Sequence, residues 1–212
     1  MRIPRFLALL SLATLILCAA SFADSTFDFS TKGSGDLGSA VETFTGAGGG
    51  SITLWGFSAS GVSTTGDVDL YYKANPPNSG DEVGLGLAND PTDHEVGGKS
   101  FIQFTAAGIT SVTIGSIQSG ESFVLYGSNT PGAFNTINSI ASGIGPISPQ
   151  TITGLTALSS GFTYIDLFAP AGNVLLDSAT FVPAVPEPGT TAMILTLGIV
   201  GLFEVGRRKL MA

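Results

Sequence analysis

Short runs of alternating apolar and polar residues fill the middle of the chain and constrain its fold more than any other feature. STFDFS at 25–30, SITLWGFSAS at 51–60 and KSFIQFTA at 99–106 are examples. Successive side chains of a β-strand point to opposite faces, so this spacing is typical of half-buried strands. No stretch between the chain ends repeats near 3.6 residues. The pattern predicts an all-β protein, a β-sandwich with jelly-roll topology, and an immunoglobulin-like arrangement is the alternative.

Further runs of the same kind follow along the chain, and Gly, Ser, Pro or Asn bounds each of them. They are DVDLYYK at 67–73, SVTIGSIQ at 111–118, SFVLYGS at 122–128, FTYIDLFAP at 162–170 and NVLLDSATFVP at 173–183. The stretch from Gly127 to Gln150 fits none of these patterns, since it is long for a turn and polar for a core. We expect it to be either a ligand-facing loop or a connecting loop that is longer than the connection requires.

Charge is distributed unevenly along the 212 residues. Residues 24–183 hold only three lysines, no arginine and 14 of the 16 carboxylates. An acidic surface of this kind repels phosphate backbones, which argues against a nucleic-acid partner. The hydrophobic fraction of 43% and the 14 phenylalanines are sufficient for a packed core.

The first 23 residues have the pattern of an export signal. Two arginines precede an apolar run, which ends in Ser-Phe-Ala, and the small residues are placed where a signal peptidase reads them. We expect the general export machinery to carry the chain and signal peptidase to cleave between Ala23 and Asp24. An uncleaved anchor and a lipid-modified Cys18 are the alternatives. Cys18 is the only cysteine, so a chain cleaved after Ala23 contains no thiol.

The last 29 residues, 184–212, combine three features in a fixed order. Pro186 and Pro188 keep Glu187 in an extended segment, which a processing enzyme can bind. A nearly uncharged run at about 189–205 predicts a transmembrane helix of about 25 Å. The basic residues beyond it should stay in the cytoplasm, which places residues 24–188 outside the cytoplasm. Those residues are Arg207, Arg208 and Lys209.

Val185-Pro186-Glu187-Pro188, followed by the apolar run and the basic cluster, resembles the PEP-CTERM sorting signal of Gram-negative bacteria. The resemblance implies recognition by an exosortase, an integral membrane cysteine transpeptidase, and processing near the motif. It also implies that the chain is anchored in the inner membrane first and is then delivered to the cell surface or the extracellular polysaccharide matrix. Glu204 departs from the family pattern, because that position is usually apolar.

The body of the chain also resembles, through short Gly- and Ser-rich segments, exported PEP-CTERM proteins with galactose-binding-like jelly rolls. The segments are DEVGLGLANDPTDHEVGGKSFIQF at 81–104, SIQSGESFVLYGSNTPG at 116–132 and YIDLFAPAGNVLLDSATF at 164–181. No binding residue can be transferred from this resemblance.

Acidic residues form the strongest candidate for an ion site. Asp67 and Asp69 lie at strand spacing on one face, and more carboxylates follow in a turn-rich segment. Calcium takes six to eight oxygen ligands at about 2.4 Å, which loops at a sandwich edge could supply. Solvated carboxylates that protect strand edges are the alternative. The candidate ligands are Asp67, Asp69, Asp81, Glu82, Asp90 and Asp93, with Glu95 close by.

Tyr71, Tyr72 and Tyr126, together with Trp55, are candidates for an aromatic platform that stacks on sugar rings. Tyr71 and Tyr72 are adjacent, so they face opposite ways in a strand and at least one should be exposed. Packing in the core is the alternative. His94 is the only histidine, and no sequence motif places a nucleophile beside it.

These patterns predict an exported envelope or matrix protein with a structural or binding β-domain and no enzymatic activity. A carbohydrate-binding module, with calcium as its candidate ion, is the first alternative. A secreted hydrolase that uses two carboxylates is the second.

Overall fold

The computed structural model describes residues 24–46, 50–61, 63–74, 82–89, 93–134 and 136–182. This part of the chain is almost entirely β-structure, with one helical turn, α1. The elements in chain order are β1 (Ser25–Asp28), β2 (Gly35–Asp36), β3 (Val41–Thr45), β4 (Ser51–Ser58), β5 (Leu70–Lys73), β6 (Gly84–Leu87), β7 (Val96–Gly97), β8 (Ser100–Thr105), β9 (Ile109–Gly115), β10 (Ser122–Ser128), β11 (Ser139–Ile144), β12 (Gln150–Thr153), α1 (Leu155–Leu158), β13 (Tyr164–Ala171) and β14 (Asn173–Phe181).

The strands form two antiparallel sheets. Sheet 1 has the order β12-β9-β14-β6-β5-β2, with β1 and β7 also paired to β14. Sheet 2 has the order β11-β10-β13-β8-β4-β3. The prediction of an all-β protein is confirmed, and two sheets with a common core are consistent with a β-sandwich.

One hydrophobic cluster lies between the sheets, and both contribute alternate residues to it. Sheet 2 contributes Leu54, Ile102, Phe104, Phe123, Leu125, Ile165 and Leu167, and sheet 1 contributes Leu70, Leu85, Leu87, Val112, Ile114, Val174 and Leu176. Its buried members all lie between Phe29 and Phe181. Because the core is complete within these limits, residues 24–183 are expected to fold as an independent domain.

A second, smaller aromatic cluster lies on the outer face of sheet 2. Phe134 packs against Phe101 and Phe168, with ring centroids 5.1 and 4.5 Å away, and Phe57 stacks on Phe101. Phe134 belongs to residues 129–134, which follow β10 and cross this face. We call this segment the covering loop. It buries part of a sheet face that the alternating pattern predicts to be solvated.

The stretch from Gly127 to Gln150 is therefore not one long loop. Its first part is the end of β10 and the covering loop, and residues 139–144 form strand β11. The Gly127 amide donates to the Asn138 carbonyl at 2.8 Å and starts the pairing between β10 and β11. The expectation of a loop is wrong for β11 because edge strands need few apolar residues.

Candidate functional site

A surface cleft of about 480 Å³, lined by polar residues and glycines, lies where the β7–β8 turn meets the start of β14. The β7–β8 turn supplies backbone as well as side chains, and Asn173 comes from the start of β14. Residues lining the cleft are Asn89, Glu95, Gly97, Gly98, Lys99, Ser100 and Asn173. The lining residues thus include amide, hydroxyl, ammonium and carboxylate side chains, of which Glu95 and Ser100 are almost fully buried.

Glu95 is the most firmly held side chain of the cleft. It is 5% exposed, and Lys73 Nζ lies 2.6 Å from its Oε1 atom. The Ser116 hydroxyl donates to the same oxygen at 3.0 Å. Lys73 also pairs with Glu82 Oε2 at 3.1 Å, and the Gln118 side chain donates to Glu82 Oε1 at 3.3 Å. The Lys73 ammonium thus pairs with two carboxylates, and Glu95 is held by both Lys73 and Ser116.

Burial and neighbouring charges both shift the pKa values of Glu95 and Lys73. Burial raises the pKa of Glu95, and the nearby Glu82 carboxylate raises it further, against the opposing effect of Lys73. Desolvation alone would lower the pKa of Lys73, but hydrogen bonds and charges from Glu95 and Glu82 outweigh it, so this pKa lies above its usual value. The site therefore holds its protons more firmly than exposed groups would.

Asn173 connects the cleft to the turn before β7. Its amide Nδ2 donates to Asp93 Oδ2 at 3.4 Å, and its backbone N–H donates to Glu121 Oε1 at 3.3 Å. Asn173 also pairs with Gly97 across β14 and β7. A Cβ at Gly97 would lie 2.6 Å from Asn173 Oδ1, so a larger residue there would require the Asn173 side chain to shift.

His94 stacks on Tyr71 beside the cleft. Their ring centroids are 3.9 Å apart and their planes differ by 14°. His94 has a φ of 55°, and its carbonyl oxygen accepts from Leu87 N at 3.2 Å. Its Nδ1 atom is buried and has no hydrogen-bond partner within the described residues. With Nδ1 unpartnered and the ring stacked, His94 is placed as a packing residue.

The four predicted calcium ligands that the structure describes make separate contacts. Asp67 Oδ1 accepts from Ser58 N at 2.7 Å, Asp93 contacts Asn173, and Glu82 pairs with Lys73. For Asp69, the backbone carbonyl accepts from Ala88 N at 2.8 Å. In the part of the chain that the structure describes, no group of three or more His, Cys, Asp or Glu side chains could hold a metal ion. Asp81 and Asp90 lie outside the described residues, so the calcium site stays a prediction.

The three tyrosines do not form one platform. Tyr71 stacks on His94, whereas Tyr72 packs toward the core at 6.4 Å from Phe44, as expected for neighbours in a strand. Tyr126 lies on sheet 2 and meets Phe134 edge to face at 5.8 Å. Trp55 lies on the same sheet, edge to face with Tyr164.

The predicted processing sites lie outside the described residues, apart from Asp24, which is exposed. They are Ala23, Val185, Pro186, Glu187, Pro188, Arg207, Arg208 and Lys209. Among the described residues, no helix is long and apolar enough to cross a membrane. The predicted span at about 189–205 belongs to the part that is not described.

Sequence reasoning identified Asp93 and Glu95 near the cleft but missed Asn89, Lys99, Ser100 and Asn173. These four lie in turns or at strand starts, and Asn173 is far from the other three in the sequence. The Gly-Gly-Lys segment at 97–99 and the Gly-Asn dipeptide at 172–173 indicate turns, and this was the only available signal.

No protein-family model matches the chain, and no curated protein is significantly similar to it in sequence. The fold and the cleft define an all-β protein with two antiparallel sheets and a surface cleft.

Proposed function

We propose that the β-domain is a non-catalytic binding module that takes a saccharide in the cleft between the β7–β8 turn and the start of β14. The observation that carries this proposal is the residue composition of the cleft, in which the exposed Lys99 and the amides of Asn89 and Asn173 line a volume of about 480 Å³. A volume of this size suits a small ligand. Sugar hydroxyls both donate and accept hydrogen bonds, so they can pair with all of these groups. An apolar ligand would leave the groups desolvated and unpaired, at a cost in free energy.

The strand order supports a jelly-roll topology for the domain. In sheet 1 the run β12-β9-β14-β6, and in sheet 2 the run β11-β10-β13-β8, correspond to the two four-stranded sheets of a jelly roll that runs from β6 to β14. Strands β5 and β2 extend the first sheet, and β4 and β3 extend the second. We therefore prefer the jelly roll to the immunoglobulin-like alternative.

Delivery to the cell envelope or the extracellular matrix is the second part of the proposal. The supporting features are the export signal at 1–23 and the Pro-Glu-Pro motif, apolar run and basic cluster at 184–212. An exosortase would process this tail after transient anchoring in the inner membrane. Intact-mass measurement of the surface-released protein, from cells with and without an exosortase, tests this part. The same tail in both would refute it.

Calorimetric titration of residues 24–183 with a panel of neutral and acidic oligosaccharides tests binding. Lys99→Ala removes an exposed ammonium from the cleft, and Lys32→Ala, an exposed lysine near the Phe27 ring, is the matched control. We expect Lys99→Ala to weaken binding by roughly tenfold, as for loss of one charged hydrogen bond, and Lys32→Ala to have no effect. Absence of binding across the panel, or equal effects of the two variants, would refute the assignment of the cleft.

Two further measurements test the calcium-dependent and the hydrolase alternatives. Repeating the titration with added calcium and with a chelator tests the ion that the acidic residues predict, and an affinity that depends on calcium would support it. Mass analysis of the oligosaccharides after long incubation tests the hydrolase alternative. We expect intact ligands, and shortened products would replace the binding module by a glycosidase.

A further inference from the structure

A long charge-free segment forms one side of the domain. Residues 122–165 contain no Asp, Glu, Lys, Arg or His, although the rest of 24–183 carries all 14 carboxylates and all three lysines. The segment includes β10, β11, β12 and α1. In an acidic domain, this is the surface where electrostatic repulsion between two copies is smallest.

The charge-free segment also supplies the edge strands of both sheets on this side. β11 is the edge of sheet 2 and β12 is the edge of sheet 1, whereas β3 and β2 form the opposite edges. β3 carries Glu42 and β2 carries Asp36, while β11 and β12 carry no charge. Charged side chains are a usual protection of sheet edges against pairing with other chains. Charged side chains therefore protect the β2 and β3 edges of the domain, whereas the β11 and β12 edges lack this protection.

Apolar side chains around β11 are exposed to solvent. Ile137 is 86% exposed, Ile144 is 70% exposed and Ile147 is 69% exposed. In the described part of the chain, β11 pairs with β10 and with no other strand. The Gln150 side chain donates to the Ile144 carbonyl at 2.9 Å, so it occupies one end of the edge. The stretch that remains open to a further strand is Ser139–Gly143.

We propose that a second copy of this chain occupies the β11 edge and forms a two-fold symmetric dimer by antiparallel pairing of β11 with β11. A two-fold interface brings the same surface of both copies together, and an uncharged strand is compatible with its own copy. Neither β11 nor its neighbour β10 carries an Asp or Glu, so pairing there brings no charged strand into the contact, and it covers exposed isoleucines on both sides. This interface lies in a different region from the β7–β8 turn and can exist whether or not the cleft binds saccharide.

Sedimentation equilibrium of residues 24–183 over a range of concentrations tests the dimer. Ser142→Glu places a carboxylate on an exposed position of β11, and Thr45→Glu makes the same change on the exposed opposite edge, β3. The open stretch is only about 17 Å long, so two introduced glutamates lie close together in any antiparallel register. We expect a concentration-dependent dimer, at least about a tenfold rise in its Kd for Ser142→Glu, and little change for Thr45→Glu. Added salt should strengthen the wild-type dimer by screening the net charge.

A monomer at every concentration and salt level would overturn the proposal, as would a dimer that responds equally to both substitutions. Circular dichroism establishes that the variants fold. If Ser142→Glu does not fold, Ser142→Cys replaces it, because residues 24–183 contain no cysteine. A flexible bismaleimide should then crosslink Ser142→Cys into dimers and leave Thr45→Cys monomeric. The reverse result would refute the interface.

Discussion

Asp166 gives the strongest test of the buried structure, because it is a carboxyl group with no exposed surface on the outer face of sheet 2. Its Oδ1 atom accepts from Gln103 Nε2 at 2.8 Å, while Oδ2 is buried without a hydrogen-bond partner in the described residues. Gln103 in turn accepts from the Gly132 amide at 3.0 Å, which ties the covering loop to the sheet. An ionised Asp166 therefore has one hydrogen bond where water would supply several.

The magnitude of the effect follows from the titration of Asp166. Burial raises its pKa from 3.8 to about 7, against the opposing effect of the Gln103 hydrogen bond. The folded state thus favours the protonated acid, so the contribution of Asp166 to stability is greatest below pH 3.8 and falls as the pH rises toward 7. At 1.36 kcal/mol per pH unit, the whole shift corresponds to roughly 4 kcal/mol, and the interval from pH 5 to pH 8 contains roughly 3 kcal/mol of it.

Asp166→Asn removes this titration and keeps an oxygen acceptor for Gln103. We expect the free energy of unfolding of the variant, relative to wild type, to increase by roughly 3 kcal/mol between pH 5 and pH 8. Urea denaturation of residues 24–183 at several pH values measures this difference, and taking the difference cancels the titration of other groups. Asp24→Asn, at an exposed carboxylate, should show no such trend. A difference between Asp166→Asn and wild type that does not change with pH would refute the reasoning.

Two further substitutions test the contacts of the covering loop and of the cleft. Gly132→Ala should destabilise the domain by about 3 kcal/mol or more, because φ is +69° and a Cβ would overlap the Ser63 carbonyl oxygen. Gly120→Ala, with φ +91° and open space around the Cβ, should cost only about 1 to 2 kcal/mol in the same urea denaturation, and equal costs would contradict the packing. Lys73→Met removes the ammonium that faces Glu95 and should cost roughly 2 kcal/mol at pH 8, with a smaller cost at a lower pH, because burial raises the pKa of Glu95 and its protonated form needs no counter-charge. A loss of stability that is the same at both pH values would show that Glu95 does not depend on this pair.

The sequence predicted the strands with strong alternation and missed those without it. SITLWGFS, SFIQFT and NVLLDSATF are rich in bulky apolar residues, and they form β4, β8 and β14. SIASGI and GLGL form β11 and β6, although the first has little apolar area and the second has glycine at alternate positions. These two segments are strands because they pair with neighbouring strands. The sequence of one segment carries no information about such pairing.

Asp166 shows why the covered face was not predictable. In the run YIDLF it alternates with Ile165 and Leu167, so the pattern correctly places it opposite the core. Whether that opposite face is solvated depends on the covering loop, which comes from a distant part of the chain. The cleft was not predictable for the same reason. Lys99 and Asn173 are far apart in the sequence and come together only through the pairing of β7 with β14.

The most direct test of the binding cleft is an NMR titration of ¹⁵N-labelled residues 24–183 with the oligosaccharides that bind by calorimetry. Backbone amides of the β7–β8 turn and of Asn173 surround the cleft, so they should show the largest chemical-shift changes. The amides of β11 and those around Trp55 on sheet 2 should change little. Shifts that cluster around Trp55 and Tyr164, with none at Gly97, Gly98 or Asn173, would contradict the assignment of this cleft as the saccharide site.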